Sequence, residues 1–250
     1  MKTVAVINQK GGVGKTTTAL ALGAGLETRG RRVLFVDLDP QGNLSYALGA
    51  EGGVPGVWAM LERPGAAPGV QAAPGGAVIA ASPALAGADA VLTATGKEYR
   101  LREALTPLSG DYDYAVIDTP PALGVLTVNA LTAAAGLIIP AQADVFSLQG
   151  IGQLSLTIDA VRQYCNPGLK ILGLLLTRHN PRSVISRDLA EVMRDTARRL
   201  DTRLFKTAVR EAVAVREAQA ERRGLFHYAP KSNAALDYQA FVDEFLRLKI

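Results

Sequence analysis

Eight consecutive residues, Lys10-Gly11-Gly12-Val13-Gly14-Lys15-Thr16-Thr17, combine glycines, lysines and hydroxyls directly after an apolar run, Val4-Ala5-Val6-Ile7-Asn8. That order suits phosphate binding. Glycines let a loop curl until successive N–H groups point inward at anionic oxygens. A helix starting at the end of the loop presents its positive end to the same anion. Lys15 can reach the β- and γ-phosphates of a nucleotide, and the Thr16 hydroxyl can ligate Mg2+. The usual loop has a glycine where this chain has Gln9, and Lys10 is an additional cation. A glycine-rich turn with solvated lysines is the plainer alternative, but it does not require Gly14-Lys15-Thr16 at the strand-to-helix junction.

Carboxylates follow at two strand ends. Val33-Leu34-Phe35-Val36-Asp37-Leu38-Asp39 closes one apolar run, and Tyr114-Ala115-Val116-Ile117-Asp118 closes another. Strand ends in open α/β sheets line the ligand crevice. Carboxylates there can hold Mg2+ through water or orient an attacking water. Alternatively, Asp37 or Asp39 caps a helix beginning near Gly42. Asp118 could simply end its strand in a turn.

The elements that must position these groups are strands and helices in alternation. Strands are predicted at Thr3–Asn8, Arg32–Asp37, Ala77–Ala81, Tyr114–Asp118, Gly136–Pro140, Lys170–Leu176 and Arg203–Lys206. Helices are predicted at Lys15–Thr28, Ala122–Ala134, Ser147–Gln163, Ser186–Leu200, Val209–Glu221 and Ala234–Leu248. Several strands are apolar throughout, as expected of a parallel sheet covered on both faces. The expected fold class is therefore α/β: a doubly wound, mostly parallel central sheet flanked by helices, forming a single domain over residues 1–250. Residues 49–96, rich in Gly, Ala and Pro, read as a surface excursion from that domain.

The chain has 250 residues, 48% hydrophobic and 20% charged, which excludes disordered and fibrous classes. No apolar run approaches the ~18 residues of a membrane span. The first residues do not resemble a signal peptide, so a cytoplasmic location is expected. One cysteine, Cys165, and two histidines leave little scope for disulfides, zinc or thiol redox chemistry. Charge is uneven: residues 178–231 hold 13 Lys/Arg against 7 Asp/Glu, and the rest 14 against 16. A basic third on a slightly acidic body suggests an anionic partner.

The loop with its extra lysine resembles the deviant phosphate loop of the ParA/MinD ATPases, relatives of nitrogenase iron protein. Asp37 to Asn43, Asp118 to Pro121 and Tyr228-Ala229-Pro230-Lys231-Ser232 look like the ParA/Soj partition branch. The resemblance implies ATP and Mg2+ as ligands at Gly11 to Thr17. It implies that Lys10 reaches a partner subunit's nucleotide across a homodimer formed in the ATP state. It assigns the hydrolytic water to Asp39, support of Mg2+ to Asp37, and contact with Mg2+-bound water to Asp118. Leu174-Leu175-Leu176-Thr177-Arg178-His179-Asn180 looks instead like the MinD stretch whose Asn contacts adenine, which carries that role to Asn180. There are departures. Ala208-Val209-Arg210-Glu211-Ala212 lacks the Pro and Asn usual near the base in Soj-type proteins. The first strand begins almost at Met1, so no N-terminal helix-turn-helix is expected.

Arg187, Arg194 and Arg198 are spaced for one helix face, and Arg210 and Arg216 follow. Arginines suit phosphate contacts that give affinity without sequence specificity. With the resemblance, this implies non-specific binding of double-stranded DNA by the ATP dimer, a nucleoid association, and a ParB-type centromere-binding partner that stimulates hydrolysis. No aromatics interleave these arginines, so base stacking is not expected. A solvated face paired with Asp188, Glu191 and Asp195 is the alternative. The rival function is a MinD-like positioning ATPase at membranes. Against it, Ala234–Ile250 has an apolar stripe at Tyr238, Phe241, Phe245 and Leu248 but a net charge of −1, so core packing is expected and membrane binding is not. A metal- or cluster-handling ATPase is disfavoured by the single thiol.

Overall fold

Along Val4-Ala5-Val6-Ile7, side chains fall alternately on two faces: Val4 and Val6 join one buried cluster, Ala5 and Ile7 the other. Val33 and Phe35 against Leu34 and Val36 repeat the division. Alternate residues of a strand point to opposite faces, so a strand apolar throughout must be covered on both sides. The computed structural model describes residues 1–51, 54–181 and 184–250, the first two of the last segment by backbone only. Its strands are β1 (Lys2–Val6), β2 (Val33–Asp37), β3 (Val70–Ala73), β4 (Gly76–Ile79), β5 (Tyr114–Asp118), β6 (Gly136–Ala141), β7 (Lys170–His179) and β8 (Leu204–Arg210). They form one sheet in the order β3-β4-β2-β5-β1-β6-β7-β8. Only the β3–β4 pair is antiparallel among the described residues.

The helices are α1 (Lys15–Glu27), α2 (Asn43–Ala47), α3 (Val57–Glu62), α4 (Ala88–Val91), α5 (Arg100–Leu105), α6 (Val125–Ala133), α7 (Val145–Tyr164), α8 (Val184–Arg199), α9 (Val213–Ala220), α10 (Leu225–Tyr228) and α11 (Asn233–Leu246). Apolar residues of α1, α2 and α11 cover one face of the sheet, and those of α3 to α8 cover the other. Close packing explains a glycine inside α1: a Cβ on Gly23 would lie 2.1 Å from the Phe35 ring. Tyr238, Phe241 and Phe245 of α11 are at most 2% exposed, so its apolar stripe is core. None of the described helices is long and apolar enough to cross a membrane.

Two expectations need correction. Residues 49–96 are not merely a surface excursion. They supply β3 and β4 to the sheet and bury Met60, Leu61 and Leu85 beneath it. The strand expected at Arg203–Lys206 runs on to Arg210, and the helix expected from Val209 begins at Val213. The cause lies in α11. Its Glu244 accepts the N–H groups of Lys206 and Thr207, and its Asp237 accepts that of Arg210. An edge strand leaves outward N–H groups unpaired, and these two carboxylates satisfy them.

Candidate active site

The chain leaves β1 and turns into α1 through residues 7–14. Gly12 and Gly14 have φ of 73° and 87°, the left-handed region that glycine enters without strain. A Cβ on Gly11 or Gly12 would meet nothing within 4 Å, so the loop's concave side is open. Distant elements hold its shape. Asn8 donates to the Pro140 carbonyl (2.8 Å) and accepts from the Lys10 N–H (2.9 Å). Thr177 on β7 donates to the Val13 carbonyl (2.8 Å). Beneath the loop, Tyr238 lies 3.2 Å from the Thr18 hydroxyl, and burial pushes its phenol up to about 12.

Lys15 is 7% exposed and donates to the Lys10 carbonyl (3.1 Å). Burial lowers its pKa, and the charges of Asp118 and Asp39 oppose that. A desolvated ammonium held by a carbonyl is a ready anion site. Lys10 folds back within its own chain onto Asp144, with Nζ to Oδ2 at 2.5 Å.

The carboxylates divide the work. Thr16 donates to Asp118 Oδ2 (2.6 Å), while the buried Asp118 Oδ1 has no partner. Burial and then the Asp37 charge push the Asp118 carboxyl well above its ordinary value. An orphaned oxygen beside the Thr16 hydroxyl fits a cation. No group of three His, Cys, Asp or Glu able to chelate a metal exists among the described residues. Mg2+ is accordingly suited here by Thr16, phosphate oxygens and water, as is usual for this ion.

Asp37, expected to support Mg2+, is held from α2. Its Oδ2 accepts the N–H and hydroxyl of Ser45 (2.8 and 2.7 Å), and its Oδ1 accepts the Asp39 N–H (3.1 Å). Each oxygen accepts at least one hydrogen bond, which ties Asp37 to the start of α2 and to the Asp39 backbone. Burial raises its carboxyl to about 6. Asp39 faces the cleft, with Oδ1 held by the Gln41 N–H (3.0 Å).

Gly11, Gly12, Gly14, Lys15, Thr16 and Asp39 line a cleft of about 680 Å3, together with Val209, Arg210, Glu211, Ala212 and Val215. That size suits a nucleotide. A family model described as "AAA domain" matches residues 1–171. The chromosome partitioning protein ParA of Myxococcus xanthus is 38% identical over 98% of this chain and 87% of its own. The chromosome-partitioning ATPase Soj of Thermus thermophilus is 37% identical over 98% and 95%. The chain belongs to the ParA/Soj family.

Among solved structures, one titled cobyrinic acid a,c-diamide synthase from Mycobacterium smegmatis, with bound ATP analog and magnesium, is 39% identical (TM-score 0.85; 99% of this chain, 95% of that one). Apo McdA of Cyanothece has a TM-score of 0.87 at 27% identity (98% and 99%).

Three expected site residues take an unexpected position. Asn180 lies exposed beyond the end of β7 and is not one of the residues lining the cleft. Arg210 and Arg216, expected on a DNA face with Arg187, Arg194 and Arg198, line the cleft instead. Arg210 is held there by Asp237 (2.7 Å). The physical reason is the longer β8, which ends at Arg210, so that α9 with Arg216 starts beyond it. On α8, Arg187, Arg194 and Arg198 are exposed, and the last two pair with Glu191 and Asp195. Sequence reasoning missed Asn8, Thr177, Asp144 and Gln219. Asn8 directly follows the first apolar run, which was its one available signal. Thr177 lies in the Leu174–Asn180 stretch quoted above, while Asp144 and Gln219 carry no motif.

Proposed function

We propose that this chain is a Mg2+-dependent ATPase of one domain, residues 1–250, acting as a dimerisation switch in DNA partition. The observation that carries the reading is the buried Lys15 beside an open glycine loop, with the Thr16 hydroxyl donating to the buried Asp118. The loop N–H groups and Lys15 bind the phosphates. Mg2+ would supply charge neutralisation between the outer phosphates, held by Thr16 and, through water, Asp118. Asp39 orients the attacking water. Lys10 exchanges Asp144 for the partner subunit's nucleotide, so dimerisation reports the ATP state.

In that state the outward arginines of α8, Arg187, Arg194 and Arg198, hold double-stranded DNA through its phosphates. Hydrolysis, stimulated by a ParB-type centromere-binding protein, releases it. The working location is the nucleoid. The burial of the α11 stripe supports this over a MinD-like membrane role.

Two measurements test the reading. Lys15→Ala should abolish nucleotide binding in a folded protein. Co-sedimentation with DNA and with anionic liposomes, with and without ATP, should show ATP-dependent DNA binding that falls steeply with salt. Arg198→Glu should weaken it equally on unrelated duplexes. Liposome binding without DNA binding would overturn it.

A further inference from the structure

We infer that Arg216 binds the phosphates of the nucleotide held in its own chain, rather than DNA. The inference rests on the ATPase reading above. Three arginines line the cleft among the described residues: Arg178, Arg210 and Arg216. Glu211 holds Arg178 (2.7 Å) and Asp237 holds Arg210 (2.7 Å). Arg216 is exposed and, among the described residues, has no carboxylate within ion-pair distance. A free guanidinium facing the same cleft as Lys15 raises the positive potential where an anion would sit. Its fork matches phosphate oxygens in a way that lysine does not.

The helix that carries it is fixed by separate observations. Ala212, Val215, Arg216 and Gln219 all face the cleft, the spacing of one helix face. Gln219 on that face donates to the Thr17 hydroxyl (3.1 Å), so α9 is tied directly to the start of α1. Just past the helix, Arg222 stacks over the Tyr46 ring at 4.0 Å, a second tie across to α2. Held at both points, α9 carries Arg216 one turn before the Gln219–Thr17 contact, on the face that lines the cleft. Arg216 thus lines the same cleft as Lys15, with its charge unpaired.

The test uses the full chain with Mg2+ and fluorescently labelled ADP and ATP. ADP is included because its binding does not require a dimer under the reading above. Arg216→Ala should weaken both by about 10- to 100-fold, the range for losing a charged hydrogen bond. Arg216→Lys should recover part of that. The melting temperature without nucleotide should not move, because the side chain is exposed and unpaired. DNA affinity measured at saturating ATP should equal that of the parent. Parent-like ADP and ATP affinity in Arg216→Ala would overturn the proposal. So would a loss confined to ATP, which would mean a contact across the dimer, or a loss of DNA affinity at saturating ATP. If the parent chain itself binds neither nucleotide, the ATPase reading fails first and the proposal falls with it.

Discussion

Lys10 and Asp144 stand 134 positions apart in sequence and meet as an ion pair of 2.5 Å. Burial pushes the Asp144 carboxyl up, but the Lys10 ammonium and the Ser147 N–H outweigh it, so its pKa lies below the ordinary value. The same carboxylate accepts the Ser147 N–H (2.8 Å) and caps α7. Lys10 is thus held by a residue with work of its own.

Removing the carboxylate should free Lys10 for the partner's nucleotide. The side chains are 27% and 31% exposed, so solvent weakens the pair to at most about 1 kcal/mol. Asp144→Ala should therefore raise the dimer fraction with a slowly hydrolysed ATP analogue by up to about fivefold. Lys10→Ala should prevent the dimer altogether. Sizing by light scattering reads both, and an unchanged dimer in Asp144→Ala would show that the pair does not restrain Lys10.

Asp118 gives a pH prediction. Burial holds its carboxyl well above the ordinary 3.8, so the folded chain keeps this proton more tightly than the unfolded one. Its contribution to stability is complete below pH 3.8 and is lost as pH rises through the raised value. Asp37, raised to about 6, acts in the same direction between those limits. An Asp118→Asn variant carries no such charge. Without nucleotide it should exceed the parent's stability at pH 8 by about 1–2 kcal/mol, with the gap closing toward pH 4. Its Mg2+-dependent nucleotide binding should weaken. Urea melts across that range read the first effect, and a gap that widens toward low pH would refute the sign.

Asp39→Ala should separate binding from chemistry. The residue faces the cleft but makes no contact with Lys15 or Thr16 among the described hydrogen bonds. Hydrolysis should slow by at least about 100-fold, while Mg2+–ATP stays bound. Single-turnover measurements check this, and parent-like turnover would remove Asp39 from the reaction.

Thr177→Val keeps the side-chain shape and deletes a hydroxyl that donates to Val13 (2.8 Å) and Ala141 (3.2 Å). Stability should fall by about 1–3 kcal/mol, because buried carbonyls lose a donor. Nucleotide affinity should fall as well, since Val13 belongs to the loop. Isothermal titration alongside a urea melt would detect both. A stability loss with unchanged affinity would mean that the loop holds its shape without β7.

Much of this was legible from local pattern. The strand at Tyr114–Asp118 was placed to the residue because Tyr-Ala-Val-Ile is apolar on both faces. The helix from Lys15 was marked by the glycine that precedes it. The β3–β4 hairpin was missed as a pair because Val70-Gln71-Ala72-Ala73 lies at the sheet edge with mixed polarity, where periodicity is weak. The boundary near Arg210 was missed because Asp237 and Glu244, which keep the strand extended, sit on α11.

The sequence by itself determined the phosphate loop, the sheet and the strand ends where carboxylates gather. Each depends on residues within a few positions of one another, and backbone geometry converts that spacing directly into shape. Only the tertiary structure decided where the charges go. Asp37 turns from the cleft to Ser45, Lys10 rests on Asp144, and Arg210 is drawn to Asp237 while Arg216 stays unpaired beside it. An ion pair forms between whichever charges the packing of helices on the sheet brings within reach, and that packing is fixed by apolar burial, which carries no record of sign.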